Sequence, residues 1–210
     1  QLSTIPATKL GSIAIKGAID KIDINTDFID EVYMGHVLQA NTGQAPARQA
    51  AIGAGIPNTV PSTTINKVCS SGMKAVMLAA QSILLGDNHI VIAGGMENMS
   101  QVPHYSSNMR WGNKLGDVNI IDGLVKDGLT DVYNKYHMGS AAELCAKENN
   151  ITREEQDKFA INSYSRSKSS WENGKFKEEI IAVEVPQRRG EPIIIDKDEE
   201  FSNVKIEKIP

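Results

Sequence analysis

Apolar and polar residues along the first 98 positions alternate in a way that switches between helix and strand. Residues 8 to 22 predict an amphipathic helix with one buried face, because five apolar or small residues fall at helical spacing: Leu10, Ile13, Ala14, Gly17 and Ala18. The same reasoning predicts strands at 31–38, 63–68 and 89–93, and helices at 47–55 and 71–85. Helix 71–85 is apolar on most faces, so we expect it to be buried. Strands that alternate with helices favour an α/β layer with a parallel sheet.

After residue 98 the sequence becomes irregular and rich in Ser, Asn, Gly and Asp. Two helices are predicted beyond it, near 138–149 and 153–173, the second with Thr152 and Glu155 at capping-box spacing. Residues 180–185 and 193–195 predict a β-hairpin, and the last fifteen residues show no evident core. We therefore predict one α/β domain over residues 1–98 and a second domain over residues 99–210.

Composition excludes several classes of function. The 210 residues carry a net charge of −4, so no basic face is available for nucleic acid. No apolar run approaches the length of a membrane helix, and the first residues lack the order of a signal peptide, which predicts a cytoplasmic protein without a membrane partner. The two cysteines lie far apart and the four histidines are scattered, so neither a disulfide framework nor a metal site is expected.

Cys69 is the strongest candidate for chemistry. It stands where a β-prone run meets three small residues, Ser70, Ser71 and Gly72, at the start of the helix 71–85. A thiol at the positive end of a helix dipole is favoured as thiolate and stays open to a substrate. The competing interpretation is a tight strand-to-helix junction without chemistry. For Cys145, inside a plain helix, packing as a small apolar residue is the expected role.

Six short motifs are spread from one end of the chain to the other: ATKLG at 7–11, GQAPARQ at 43–49, INKVCSSGMKA at 65–75, GGMENMS at 94–100, DGLTD at 127–131 and HMG at 137–139. In residues and in order they resemble the thiolase family. The form of the HMG motif is most similar to the short-chain members, the acetoacetyl-CoA thiolases.

The resemblance implies a thiolase-like layered α/β half-fold with an inserted, mainly helical loop domain that covers the active site and binds CoA. It implies an acetyl-CoA C-acetyltransferase activity: two acetyl-CoA condense to acetoacetyl-CoA and CoA, or the reverse thiolysis occurs, through an acetyl-cysteine. Cys69 would be the nucleophile, with its amide in the oxyanion hole, and Leu129, His137 and Met138 would line the CoA and acyl pocket. Coenzyme A thioesters would be substrates, so no cofactor or metal is expected. Family members form dimers or tetramers, through a strand that resembles residues 62–65.

Part of the family's pattern is missing from the sequence. The Gly-His-Pro histidine and the second cysteine of the C-terminal domain are absent, and the chain begins after the place of the family's first strand. We therefore expect an N-terminal half plus loop domain that is inactive alone, because the base that activates Cys69 would come from the other half. The alternatives are a 3-ketoacyl-CoA thiolase of broader chain length, a β-ketoacyl synthase of similar fold, and a truncated, non-catalytic CoA-binding module.

Overall fold

A computed structural model describes residues 1–209, which divide into two compact units. One unit spans residues 2–129, and the other spans residues 130–209 together with Gln1. The predicted boundary after residue 98 lies inside the first unit, because segments that follow it pack there. Gly128, for example, lies so close to Leu38 that a β-carbon on the glycine would be 3.4 Å from the leucine side chain.

Three parallel strands form the sheet of the first unit, in the spatial order β2-β1-β3. The strands are β1 (Glu31–Gly35), β2 (Ser62–Ile65) and β3 (Val91–Gly95), and the helices are α1 (Ala7–Ile22), α2 (Pro46–Gly53) and α3 (Ser71–Leu85). Val32 in the central strand pairs with Ser62 on one side and with Ile92 on the other. The prediction of an α/β fold with a parallel sheet is confirmed.

The core of this unit lies between the sheet and the pair α1 and α2, around the fully buried side chains of Val32 and Met34. Small residues set how closely the two helices approach, since a β-carbon on Gly11 would lie 3.2 Å from that of Ala50. The buried positions of α1 are Ala7, Gly11, Ser12, Ile15, Gly17 and Ile19. The helix was predicted correctly. Of its predicted face only Gly17 is fully buried, because the close approach of α1 and α2 requires small side chains where they meet.

Helix α3 begins and ends where predicted, and Gly86 closes it in the left-handed conformation at φ 80°. Its small residues face the sheet, and its buried positions are Ser71, Ala75, Ala79 and Ser82. The expectation that the whole helix is buried is wrong, since Met73 is 70% exposed and Leu84 is 85% exposed.

The segment Val68–Leu85 has a mean hydropathy of 1.4 over 18 residues, which is long and apolar enough to cross a membrane by composition alone. The prediction concerned uninterrupted apolar runs, and this segment is not one, since Ser70, Lys74 and Gln81 lie within it. Because the small face of α3 packs against β1 and β3, we interpret it as a helix of the α/β layer.

Beyond the sheet, the first unit contains a short antiparallel pair and a π-helical turn. Strand β4 (His104–Tyr105) pairs with β5 (Ile121–Asp122), and the π-helical turn follows at Leu124–Leu129. A carboxylate oxygen of Asp122 accepts the N–H of Leu124 at 2.8 Å and so fixes the start of the turn.

The second unit contains α4 (Met138–Glu148), α5 (Arg153–Glu172), the antiparallel strands β6 (Val183–Val185) and β7 (Ile193–Ile195), and α6 (Glu200–Asn203). The predicted capping box is present: Thr152 Oγ1 accepts the N–H of Glu155, whose carboxylate accepts the N–H of Thr152. The prediction that the last fifteen residues lack a core contact is wrong, since Phe201 is buried and stacks on Trp171 at 5.8 Å.

Replacing Gly35 by alanine tests the close approach of the end of β1 to the start of α3. A β-carbon on Gly35 would lie 2.4 Å from the backbone nitrogen of Gly72 and 2.5 Å from the carbonyl carbon of Ser71, so the start of α3 would have to move. We expect Gly35→Ala to lower the free energy of unfolding by about 1–3 kcal/mol in a urea titration.

The matched control is Gly94→Ala in the neighbouring strand. Its β-carbon would lie 3.4 Å from the flexible Met34 thioether and should be tolerated better. Equal losses of stability in the two variants would contradict this account of the approach.

Candidate active site

Cys69 lies on the turn between the end of β2 and the first residue of α3, and its side chain is exposed. Two backbone hydrogen bonds close this turn: the N–H of Ser70 donates to the Lys67 carbonyl at 3.2 Å, and the N–H of Ser71 donates to the Val68 carbonyl at 3.0 Å. The predicted strand-to-helix turn is therefore present. It brings an accessible thiol to the start of a 15-residue helix.

The residue before the cysteine has an unusual backbone. Val68 has φ 50°, in the left-handed region that β-branched residues rarely adopt. The buried hydroxyl of Ser71 holds it from one side, since Ser71 Oγ donates to the Val68 carbonyl at 2.6 Å and accepts the N–H of Lys67 at 2.8 Å. Strained backbone that is held by several bonds is common at sites of chemistry. No pattern in the sequence predicts this conformation.

A mainly apolar cavity of about 420 Å³ opens beside the thiol. It lies between the carboxyl ends of β1 and β3 and the start of α3, within the first unit. Side chains that line it include those of Val37, Leu38, Met99, Leu124 and Leu129. A pocket of this volume, apolar with few polar groups, is typical of a small-molecule site. Cys69 and Leu129, both predicted site residues, are thus brought to one cavity.

Glu97 is the acidic side chain of this cavity. Its carboxylate accepts the N–H of Val37 at 2.9 Å and that of Leu38 at 3.3 Å, so it ties the end of β3 to the segment that follows β1. Because both oxygens of Glu97 accept backbone N–H groups, we interpret the role of this side chain as structural.

The imidazole of His36 is fully buried beside this carboxylate. Its Nε2 lies 3.2 Å from Glu97 Oε1, although the angles at these atoms do not meet those of a well-formed hydrogen bond. Partial burial alone would raise the pKa of the Glu97 carboxyl. The carboxylate is stabilised by His36 and by the N–H groups of Val37 and Leu38. These interactions have a larger effect than burial and hold the pKa of Glu97 below its ordinary value. The carboxylate therefore stays ionised at neutral pH.

His137 and Met138, the other two predicted pocket residues, belong to the second unit at the start of α4. His137 is the N-cap of this helix, and its Nδ1 accepts the N–H of Gly139 at 3.0 Å. Because Nδ1 is an acceptor here, the ring carries its proton on Nε2 and presents a donor there. Met138 is 40% exposed. Both side chains are open to a ligand within their own unit.

Within residues 1–209, no group of three or more histidine, cysteine, aspartate or glutamate side chains is arranged to hold a metal ion. The chemistry that these residues offer is that of an exposed thiol on a strained turn beside an apolar cavity. Together with the parallel α/β layer, this defines a class of α/β protein with a candidate cysteine nucleophile at a helix start.

The chain belongs to the thiolase family. The family model described as "Thiolase, N-terminal domain" matches residues 1–210. A relative from Danio rerio named "Acetyl-CoA acetyltransferase, mitochondrial" is 56% identical over 209 residues, which cover 100% of this chain and 49% of that protein. The Homo sapiens protein of the same name is 54% identical over 209 residues, or 100% of this chain and 48% of the relative.

A fungal relative is also similar. "Acetyl-CoA acetyltransferase ERG10, cytosolic" from Gibberella zeae is 51% identical over 209 residues, which cover 99% of this chain and 52% of the relative. The chain thus spans about half the length of the curated relatives it matches. The resemblance read from the six motifs is confirmed.

The prediction of a cytoplasmic protein is wrong. The relatives from Danio rerio and Homo sapiens are named as mitochondrial, and the fungal relative as cytosolic. The prediction relied on the first residues of the chain.

Glu97→Gln tests whether the ionised carboxylate stabilises the wall of the cavity. We expect the free energy of unfolding to fall by about 1–3 kcal/mol at pH 7, because an amide offers one acceptor where the carboxylate offers two. The folded-state pKa of Glu97 is depressed, so its stabilisation is complete above the ordinary value of 4.5 and is lost as the pH falls through the folded-state value.

Urea unfolding at pH 7, 5.5 and 4 measures this dependence. The difference between wild type and variant should stay constant down to pH 5.5 and narrow only below pH 4.5. Glu178→Gln, at an exposed position of the second unit, is the control and should unfold like wild type. A difference between wild type and Glu97→Gln that does not change with pH would show that ionisation plays no part.

Proposed function

We propose that this chain is the nucleophile-bearing half of an acetyl-CoA C-acetyltransferase, a thiolase that condenses two acetyl-CoA to acetoacetyl-CoA and CoA or catalyses the reverse. One observation carries the proposal most directly: Cys69 is exposed on a strained turn at the start of α3 and opens onto an apolar cavity. The family match and the names of the relatives support the same reaction.

In the proposed reaction the Cys69 thiolate attacks the carbonyl carbon of acetyl-CoA. A C–S bond forms to Cys69, the bond to the CoA sulfur breaks, and CoA leaves as a thiol after taking up a proton. The backbone N–H of Cys69 would stabilise the oxyanion, a contribution of about 3 kcal/mol for one donor. The start of α3 favours negative charge at the same place.

The second half-reaction forms the new carbon–carbon bond. A base removes a proton from the α-carbon of a second acetyl-CoA, and the resulting carbanion attacks the acetyl-cysteine. The C–S bond to Cys69 breaks, acetoacetyl-CoA is released, and the thiol regains its proton. Coenzyme A thioesters are the only small molecules that these steps require. The base would come from the part of the relatives that this chain does not span.

Residues 99–210 would form the inserted loop domain of the family, with Leu129, His137 and Met138 along the path of the pantetheine and acyl groups. Two observations support this assignment. Leu129 lines the cavity that contains Cys69, and His137 presents an Nε2 donor from a ring that its cap to Gly139 holds in place. A pantetheine amide carbonyl is a suitable acceptor for such a donor.

The exposed face of α3 gives a physical reason why the chain alone would be inactive. This face consists of apolar side chains that water contacts: Met73, Val76, Met77, Ile83, Leu84 and Leu85. A contiguous apolar surface of this kind is normally covered by protein. We propose that the other half of the enzyme covers it and, in the same contact, brings the catalytic base to Cys69.

We also propose that the enzyme is a dimer or a larger oligomer. In the sheet of the first unit β2 is an edge strand, so one side of Ser62–Ile65 has no neighbouring strand among residues 1–209. An open edge of this kind is suited to pairing with a second copy. Light scattering of the full-length protein tests this assembly.

Cys69→Ala in the full-length protein tests the proposed chemistry. We expect CoA release from acetyl-CoA to fall by at least about 10⁴-fold, since the covalent step loses its nucleophile. Cys145→Ala removes the only other thiol of this chain, an exposed one, and should keep wild-type turnover. Retained turnover in Cys69→Ala, or equal loss in the two variants, would refute the assignment of the nucleophile.

A further inference from the structure

A path of hydrogen bonds runs from Glu97 to the residue before Cys69. It starts at the Glu97 carboxylate, which accepts the N–H of Val37 at 2.9 Å. The carbonyl of Val37 accepts Nδ2 of Asn66 at 3.3 Å, and Oδ1 of the same asparagine accepts the N–H of Val68 at 3.0 Å. One amide side chain thus connects the end of β1 to the turn that presents the thiol.

Val68 depends on such support because its backbone is strained. At φ 50° a valine side chain crowds its own backbone, and the residue would relax to negative φ if its bonds were removed. Asn66 holds the N–H of this residue, while Ser71 holds its carbonyl. Relaxation would rotate the peptide that joins Val68 to Cys69. The thiol and the Cys69 N–H would then turn away from their present positions.

The far end of the path is fixed as well. Val37 lies just after β1, whose last residue Gly35 pairs with Gly95 of β3. Beyond that pairing, the Glu97 carboxylate binds the N–H of Val37 and so holds this segment to the end of β3. The hydrogen bond from Asn66 to Val37 therefore attaches the turn to a segment that the sheet holds in place, and not to a free loop. Asparagine suits this position because its side chain combines a donor and an acceptor.

We propose that Asn66 is a positioning residue that holds Val68 in the left-handed conformation and so aims Cys69 at the cavity. It acts through the backbone of Val68. The catalytic part of this inference rests on the proposed function, whereas the effect on the reactivity of the thiol does not.

The test uses the full-length protein and two readouts. Steady-state turnover of acetyl-CoA gives kcat and KM, and the rate of alkylation by iodoacetamide, followed by peptide mass spectrometry, reports on each thiol. We expect Asn66→Ala to lower kcat about tenfold and leave KM within about twofold, because a displaced nucleophile slows chemistry more than binding. Alkylation of Cys69 should slow relative to that of Cys145 in the same molecule, an internal standard.

A second substitution separates positioning from general stability. Glycine adopts positive φ without strain, so Val68→Gly in the Asn66→Ala background should recover most of the lost kcat and Cys69 alkylation. The matched control is Asn25→Ala, which removes a like bond elsewhere: Asn25 Oδ1 accepts the N–H of Asp27 at 3.0 Å, also two residues along the chain. This control should keep wild-type values in both readouts.

Two results would overturn the inference. One is wild-type Cys69 alkylation and kcat in Asn66→Ala; the other is a loss that Val68→Gly does not relieve. If Asn66→Ala fails to fold by circular dichroism, Asn66→Ser replaces it, since its uncharged hydroxyl can still accept the N–H of Val68 but is too short to reach the Val37 carbonyl. A wild-type enzyme that does not turn over acetyl-CoA would refute the proposed function, while the alkylation rates would still decide the role of Asn66.

Discussion

The site depends on the contact of the first turn of α3 with the ends of β1 and β3. No side chain separates the two at Gly35, where a β-carbon would reach the backbone of Ser71 and Gly72. A β-carbon on Gly95 would lie 3.4 Å from the α-carbon of Gly72. Because this contact is backbone against backbone, the helix start can sit directly on the carboxyl edge of the sheet. Ligands bind at this edge in α/β proteins. Cys69 is exposed at that edge as a consequence.

Hydrogen bonds connect the segments after β1 and β3 beyond the point where the pairing of the two strands ends. The pairing of β1 with β3 ends at Gly35 and Gly95, and the Met96 N–H still donates to the Gly35 carbonyl at 2.9 Å. Beyond that point the Glu97 carboxylate binds the next N–H groups, with the buried His36 beside it. These contacts keep the wall of the cavity ordered without a further strand. The apolar side chains of the cavity can then face a ligand.

Much of the fold follows from local sequence. The bounds of α3 were predicted because Gly86 ends the helix and small residues begin it, and the hairpin β6–β7 because two β-prone runs flank a turn. The turn at Cys69 was predicted for the same local reason. The proposals for the activity and for the pocket residues came from the family motifs, because the residue patterns alone indicated only a candidate nucleophile.

Other features depend on partners that sequence patterns do not reveal. Most of the buried face of α1 was missed because Gly11 and Ser12 pack by shape against α2, while hydropathy favours larger side chains. The exposure of α3 was missed because hydropathy predicts only that an apolar face is covered. It does not tell whether the covering residues belong to this chain. Glu97 meets Val37 across 60 positions, only because β1 and β3 are neighbours. The left-handed Val68 results from bonds that several residues make together.

Covalent acetylation of Cys69 is the central claim, and mass spectrometry measures it most directly. The full-length protein is incubated with acetyl-CoA, quenched in acid, weighed intact and then digested to locate the adduct. We predict one acetyl group per chain, on the peptide that contains Cys69 and absent from the peptide that contains Cys145. No adduct on the full-length protein, or an adduct on another residue, would contradict the account.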